Sequence, residues 1–402
     1  MINILILEGG TGHGGSSSYL YGFLKYLDKK QFCPFVVLYN YAVGPNVDKI
    51  YKLGINMLFL SKKKVERKTI KSWYENAPRF LRDMLYLSEL FINNFYRIYK
   101  IIIIIKHNKI KAVLLNAEVH YHISGVIAAK LTNTPCVVRK SGVGTDTSSR
   151  MRRILSRLVD VFISSSVAET NFHKENKWPS KELVTIYEGV DLEYFKPLPK
   201  LYKIYKEFGI PLDSSLIGYI SRLEIGKGHD DFIRAAQIVI KNFPSAYFLI
   251  VGDDVDVEDG SMKSELKDLT RRLNIEENFI FTGWRTDIKD ILQDIDIFVH
   301  CPNFWKEGMG IATLEAIASG KPVVISKNWG LAETVKDSFN GFVAPVGNYE
   351  MIAKRIIELL LNQNLRKRMG FNSRLYAEEN FNIEKNVKKI EQIFHSLLNR
   401  SF

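Results

Sequence analysis

Short β-branched runs alternate along the chain with longer stretches whose apolar residues recur at helical spacing. In the first half the runs are NILIL, FCPFVVLY, INMLFL, KAVLLN, PCVVRK, VDVFISSS and LVTIY; in the second they are SLIGYIS, AYFLIVG, NFIFTG, DIFVHC, KPVVIS and NGFVAP. Apolar runs of this length bounded by turn residues read as buried strands, and segments such as 230–242, 262–273 and 349–362 read as the helices between them. Strand–helix alternation predicts parallel sheets with helices on both faces. The stretch DLEYFKPLPKLYKIYKEFGIP, with Pro197, Pro199 and Pro211, breaks the rhythm. It suggests a first domain over 1–195, a second over 196–380, and a terminal helix over 381–402 that packs back toward the first. Doubly wound sheets bind ligands beyond the C-terminal ends of their strands, so two of them are expected to face a central cleft.

The 402 residues, 46% hydrophobic and 25% charged, suit two globular cores. The opening MINILILEGGTGHGG lacks a basic leader and a cleavage site, and its apolar run is strand-length. The stretch MLYLSELFINNFYRIYKIIIIIK contains Glu89, Arg97 and Lys100, too much charge for a span of about 20 apolar residues. Cys33, Cys136 and Cys301 show neither zinc spacing nor a disulfide framework. A cytoplasmic protein is expected, with peripheral contact at the inner face of the membrane as an open reading.

Charge sharpens that reading. Residues 1–200 hold 30 Lys+Arg against 16 Asp+Glu, while the remainder holds 26 against 28, so all of the +12 excess lies in the first half. Segment 61–111 carries 13 basic and 4 acidic side chains among Trp73, Tyr74, Phe80, Tyr86, Phe91, Phe95, Tyr96 and Tyr99. Such a mixture suits an anionic membrane surface and equally suits amphipathic helices with a solvated basic face. No nucleic-acid motif accompanies it, so no nucleic-acid partner is expected.

Candidate chemistry sits at the strand ends. The first strand runs into EGGTGHGGSSS, whose Gly14 and Gly15 would let backbone approach a ligand at a helix start, with His13 beside it. A dinucleotide fingerprint is disfavoured because the second strand ends VVLYNYAVG without a ribose-binding acid, and a turn with no ligand remains open. GYISRLEIGKGHDDF places Arg222 and Lys227 beyond a later strand, where two cations can neutralise a diphosphate without a metal. Asp254 and Asp256 could be read as a divalent-cation pair but read better as a solvated loop. Arg285, in FTGWRTD, could lie beside a nucleobase. In KEGMGIATLEAIASG, Glu307 precedes a helix expected to begin near Gly308 or Met309, and Glu315 lies about two turns along it. A carboxylate accepts two hydrogen bonds and so suits vicinal hydroxyls; two could hold two sugars. His120 and His122 alternate at the end of KAVLLNAEVHYH, so one could face a substrate.

These residues together resemble retaining nucleotide-sugar glycosyltransferases of family 4, which have the GT-B fold of two Rossmann-like domains. The likeness runs in order through VTIYEGVDLEYFKP, ISRLEIGKGHDDFIRAA, FLIVGDD, FIFTGWRTDI, EGMGIATLEAIASGKPVVIS and GLAETVKDSFNGFVAP. It implies that Arg222 and Lys227 clamp a donor diphosphate of UDP or GDP type, that Glu307 contacts the transferred sugar and that Glu315 holds the ribose. Gly308, Met309, Gly310 and Ile311 would offer backbone N–H groups, and Gly14 and Gly15 would line the phosphate and acceptor side. The resemblance implies no metal cofactor. Arg139, Lys140 and Ser141 stand where many members carry a sugar-contacting His, so acceptor or sugar contacts are expected there. The function implied is transfer of a sugar to a glycan or lipid-linked acceptor in bacterial surface polysaccharide synthesis. An epimerase or hydrolase on the same fold, or a non-catalytic glycan- or membrane-binding protein, are the alternatives.

Overall fold

The computed structural model describes residues 1–9, 15–39, 44–61, 94–117, 119–140, 150–179, 181–254, 261–304 and 306–400. Gly14, His13, Ser141 and Asp256 lie outside the described residues, as do the side chains of His120 and Lys140 and most of segment 61–111. The chain forms two compact units. The first comprises Met1–Ser165, Thr170–Ile186 and Glu384–Phe402; the second comprises Ser166–Glu169 and Tyr187–Ile383.

Each apolar run carries a strand. The first unit holds β1 (Ile2–Glu8), β2 (Phe32–Leu38), β3 (Asn56–Phe59), β4 (Ala112–Leu115), β5 (Cys136–Lys140), β6 (Val161–Ser164) and β7 (Glu182–Thr185). They form one seven-stranded sheet in the order β3-β2-β1-β4-β5-β6-β7, with every pair parallel. The near-continuous apolar runs of β1 and β4 reflect burial on both faces. Leu5, Leu7, Val113 and Leu115 pack there with Val126 and Ala129 of the helix Ile123–Leu131 and with Ile101 and Ile105. The helix Ile383–Asn399 closes the unit through Phe394, whose ring lies 5.9 Å from that of Phe32, and through Glu391, which accepts the Asp28 N–H at 2.7 Å.

The second unit holds β8 (Ser215–Ile220), β9 (Ala246–Val251), β10 (Phe279–Gly283), β11 (Ile297–His300), β12 (Val323–Ser326) and β13 (Gly341–Ala344). Their order is β10-β9-β8-β11-β12-β13, again all parallel. One face packs Phe232, Phe248 and Phe279, the last two stacked at 5.3 Å; the other packs Phe298, Met309, Leu314 and Phe381. The proline-rich stretch belongs to this unit. Arg374 Nη1 donates to the carbonyls of Leu192, Phe195 and Ala318 at 2.9–3.0 Å and holds the stretch against it.

In each sheet the strand order reverses once, between β1 and β4 and between β8 and β11. At such a reversal the connections leave in opposite directions and open a crevice beyond the strand ends. Both groups of candidate residues lie at these points.

Candidate active site

β8 and β11 pair in parallel, Ile217 opposite Ile297 and Gly218 opposite Phe298, so the loops that leave them run side by side. Lys227 lies on the first loop and Glu307 on the second. Lys227 Nζ is 2.6 Å from Glu307 Oε2, with both side chains about 15% exposed. Arg222 stands at the mouth, half exposed, with Nη2 3.0 Å from Glu224 Oε2.

The loops are stitched together by backbone. Asn303 N–H donates to Gly226 O at 3.0 Å, and Cys301 Sγ donates to Gly228 O at 3.3 Å. The buried Tyr219 hydroxyl accepts the Cys301 N–H at 3.2 Å and donates to Lys227 O, so one side chain ties both loops. Gly228 (φ +78°) permits this approach, since a Cβ there would stand 1.8 Å from Cys301 O. Glu307 N–H donates to Asn328 Oδ1 at 2.8 Å, and Asn328 Nδ2 donates to Pro302 O at 3.2 Å, which anchors the acidic loop to the end of β12.

Two buried histidines flank Tyr219, His229 at 5.0 Å and His300 at 5.6 Å between ring centroids. His229 Nε2 meets Ser221 Oγ at 3.0 Å, and His300 Nδ1 meets Thr313 Oγ1 at 2.9 Å. Their other ring nitrogens have no hydrogen-bond partner among the described residues. Burial disfavours the imidazolium form of both, with Lys227 adding to it, and holds His229 down to about 3 and His300 down to about 4. Burial pushes the Glu307 carboxyl up, but the charge and hydrogen bond of Lys227, with Arg222 beyond it, outweigh burial and leave the group below its ordinary value. The ion pair therefore sits on a neutral floor.

Several expectations are corrected. The helix after Glu307 runs over Ile311–Ala318, later than Gly308 or Met309, because Gly310 takes a left-handed φ of +67° with His300 beneath it. Glu315 is consequently one turn into the helix, half-buried, and Met309 points into the core, which leaves only its backbone for a ligand. Arg285 is committed elsewhere. It bonds Glu207 at 2.5 and 3.0 Å and Asp287 twice at 2.8 Å, which raises its pKa and lowers that of Asp287. Two carboxylates thus hold the guanidinium expected beside a base.

In the first unit, Gly15 opens the helix Gly15–Tyr26. Arg139 is buried rather than presented: Nη1 donates to Asn116 Oδ1 at 3.0 Å and Cζ lies 3.2 Å from the centroid of the Tyr19 ring. Asn116 Nδ2 in turn donates to buried Glu8, which also accepts from Ser16 Oγ at 3.1 Å. This network joins the ends of β1, β4 and β5 at the reversal of strand order. His122 is likewise buried, with Nδ1 3.2 Å from Tyr39 Oη. Sequence reasoning passed over Tyr219, His300, Asn328 and Glu8, because each lies in or beside a strand that already reads as core, and over His229, which opens the amphipathic helix His229–Asn242.

The family described as glycosyl transferases group 1 matches residues 203–376, which include the Arg222, Lys227 and Glu307 loops. The UDP-Gal:α-D-GlcNAc-diphosphoundecaprenol α-1,3-galactosyltransferase of Escherichia coli is 31% identical over 296 residues, 69% of this chain and 74% of its own length. The chain belongs to the group 1 glycosyl transferases. The glycosyltransferase is also 28% identical over 240 residues to the N-acetyl-α-D-glucosaminyl L-malate synthase of Bacillus anthracis, with 60% of each chain covered. Its fold matches the Anabaena HepE structure in complex with UDP and glucose at a TM-score of 0.80, 21% identity, and 98% and 100% coverage. The fold class is GT-B, with two parallel-sheet Rossmann-like units.

Two outcomes are expected. Tyr219→Phe strands the Cys301 N–H and the Lys227 carbonyl without their partner and destabilises the second unit by about 1–3 kcal/mol in urea unfolding. Acid also destabilises this glycosyltransferase. Unfolded histidine titrates near about 6.5, so below that pH the unfolded chain binds protons that folded His229 and His300 refuse. Stability falls as pH drops from about 6.5 toward the folded values of about 4 and 3, by up to about 1.4 kcal/mol per pH unit for each group. Denaturation midpoints measured across that window for His300→Asn should show a shallower slope than the parent.

Proposed function

We propose that this glycosyltransferase moves a hexosyl group from a uridine-diphosphate sugar to a lipid-linked glycan acceptor, with retention of anomeric configuration and without a metal ion. The observation that carries the reading is the Lys227–Glu307 pair at the strand reversal of the second unit, with Arg222 at its mouth. Without ligand the two charges neutralise each other, so neither is left desolvated and unpaired. A diphosphate would draw Lys227 and Arg222 to its oxygens and release the Glu307 carboxylate to accept from hydroxyls of the transferred sugar. Glu315 would hold the ribose, and backbone N–H groups over Gly308–Ile311 would face phosphate or sugar oxygens. Uridine diphosphate is favoured over the guanosine nucleotide because HepE, alike in fold, is complexed with UDP. The lipid-linked acceptor is supported by the name of the E. coli relative.

In the proposed reaction the bond between the anomeric carbon and the diphosphate oxygen breaks as the acceptor hydroxyl oxygen bonds to that carbon from the same face. The acceptor proton passes to the departing phosphate oxygen, whose charge Lys227 and Arg222 stabilise. The first unit would take the acceptor, and the protein would work at the cytoplasmic face of a membrane.

The test is product analysis with a UDP-hexose and a polyprenyl-diphosphate saccharide. The new linkage should carry the donor's anomeric configuration by NMR, the rate should survive a chelator, and Glu307→Gln should lower it by about 10²–10³. An inverted linkage, or free sugar released equally fast without acceptor, would contradict the proposal; the second outcome would assign a hydrolase.

A further inference from the structure

Residues 94–107 form a helix of the first unit with two unlike faces. Ile101 and Ile105 are buried in the core, while Phe95 is 66%, Tyr96 50%, Tyr99 57% and Ile103 43% exposed. At 3.6 residues per turn those four side chains share an arc of roughly 100° turned away from Ile101 and Ile105. Lys106 lies within the arc and Lys100 at its margin, both exposed, and the Lys100 ammonium sits 5.4 Å from the centre of the Tyr96 ring. Lys109 and Lys111 follow, also exposed, and no Asp or Glu occurs between Asn94 and Ala117.

Three aromatic rings and an isoleucine on one exposed helix face exceed the scattered apolar residues usual on a protein surface. Nucleic acid would use the lysines and could stack the three rings, but it offers little to Ile103 beside them. A lipid headgroup layer uses all of them. Tyrosine rings settle where acyl chains meet headgroups, aliphatic and phenyl groups enter below, and lysine stems reach back to phosphate. Among the described residues no helix is long and apolar enough to cross a membrane.

We propose that the Phe95–Tyr96–Tyr99–Ile103 face, with Lys100 and Lys106, docks the chain on an anionic phospholipid surface. The proposal rests on the lipid-linked-acceptor reading for its purpose, since it would bring the enzyme to the layer in which such an acceptor lies. Co-sedimentation of the full chain with phosphatidylcholine vesicles, with and without phosphatidylglycerol, tests it. Binding is expected to the mixed vesicles only and to weaken with added salt. Lys100→Gln with Lys106→Gln should lower the partition coefficient by about fivefold per lysine. Phe95→Ser with Tyr99→Ser and Ile103→Ser should abolish binding. Thermal midpoints and UDP binding of both variants should match the parent, so a lipid result is read apart from the donor-site reading. A parent chain that stays in the supernatant, a serine variant that binds as well as the parent, or release from vesicles by a single-stranded RNA oligonucleotide would each overturn the assignment.

Discussion

The Lys227–Glu307 ion pair is the constraint around which the second unit is arranged. Two opposite charges, each mostly removed from water, tolerate one another only if their loops hold them within hydrogen-bond distance. Removing one partner of a buried pair costs about 3–5 kcal/mol, far more than a surface pair contributes. The surroundings can be understood as what keeps that distance fixed. Parallel pairing of β8 with β11 brings the loops together, and a glycine at 228 lets their backbones approach. The Tyr219 hydroxyl joins the carbonyl of Lys227 to the N–H of Cys301.

Charge compensation also explains the composition of the floor. An imidazolium beneath Lys227 would add a further cation that the Glu307 carboxylate, already paired with Lys227, does not balance. Burial keeps both histidines neutral, and each bonds a hydroxyl, Ser221 before Arg222 and Thr313 in the first turn of the helix after Gly310. Neutral polar groups can orient the two loops without adding charge beside the ion pair. The first unit follows a similar rule at its own strand reversal. Arg139 and Glu8 are both buried, and Asn116 stands between them as acceptor for one and donor to the other.

The fold was legible because parallel strands buried on both faces must be written as continuous apolar runs, and each such run became a strand. The meeting of Lys227 with Glu307 was legible for a related reason. Lys, Arg and Glu beside glycines at a strand end have few structural uses, so Arg222, Lys227 and Glu307 stood out. What sequence could not resolve was which polar residues turn inward. Arg139, His122 and Arg285 have the chemistry of substrate contacts, yet each is engaged by a partner distant in sequence: Asn116, Tyr39 and Glu207 respectively. Tyr219 and His300 are the converse case. Strand position made them look like packing, and only the neighbouring loop shows what their polar atoms hold. The start of the helix at Ile311 depended on the left-handed turn at Gly310, which a glycine permits without announcing.

If a diphosphate opens the ion pair, as proposed, the fates of its two members separate. Titration calorimetry with UDP on the parent, Lys227→Met and Glu307→Gln is the most direct test. Loss of the cation should weaken UDP binding by about tenfold or more, since a charge-assisted hydrogen bond is removed. Loss of the carboxylate charge should tighten it, because Lys227 no longer has a competing partner. Opposite signs for the two variants would establish the clamp; equal weakening in both would show that the pair is structural and that the diphosphate binds elsewhere.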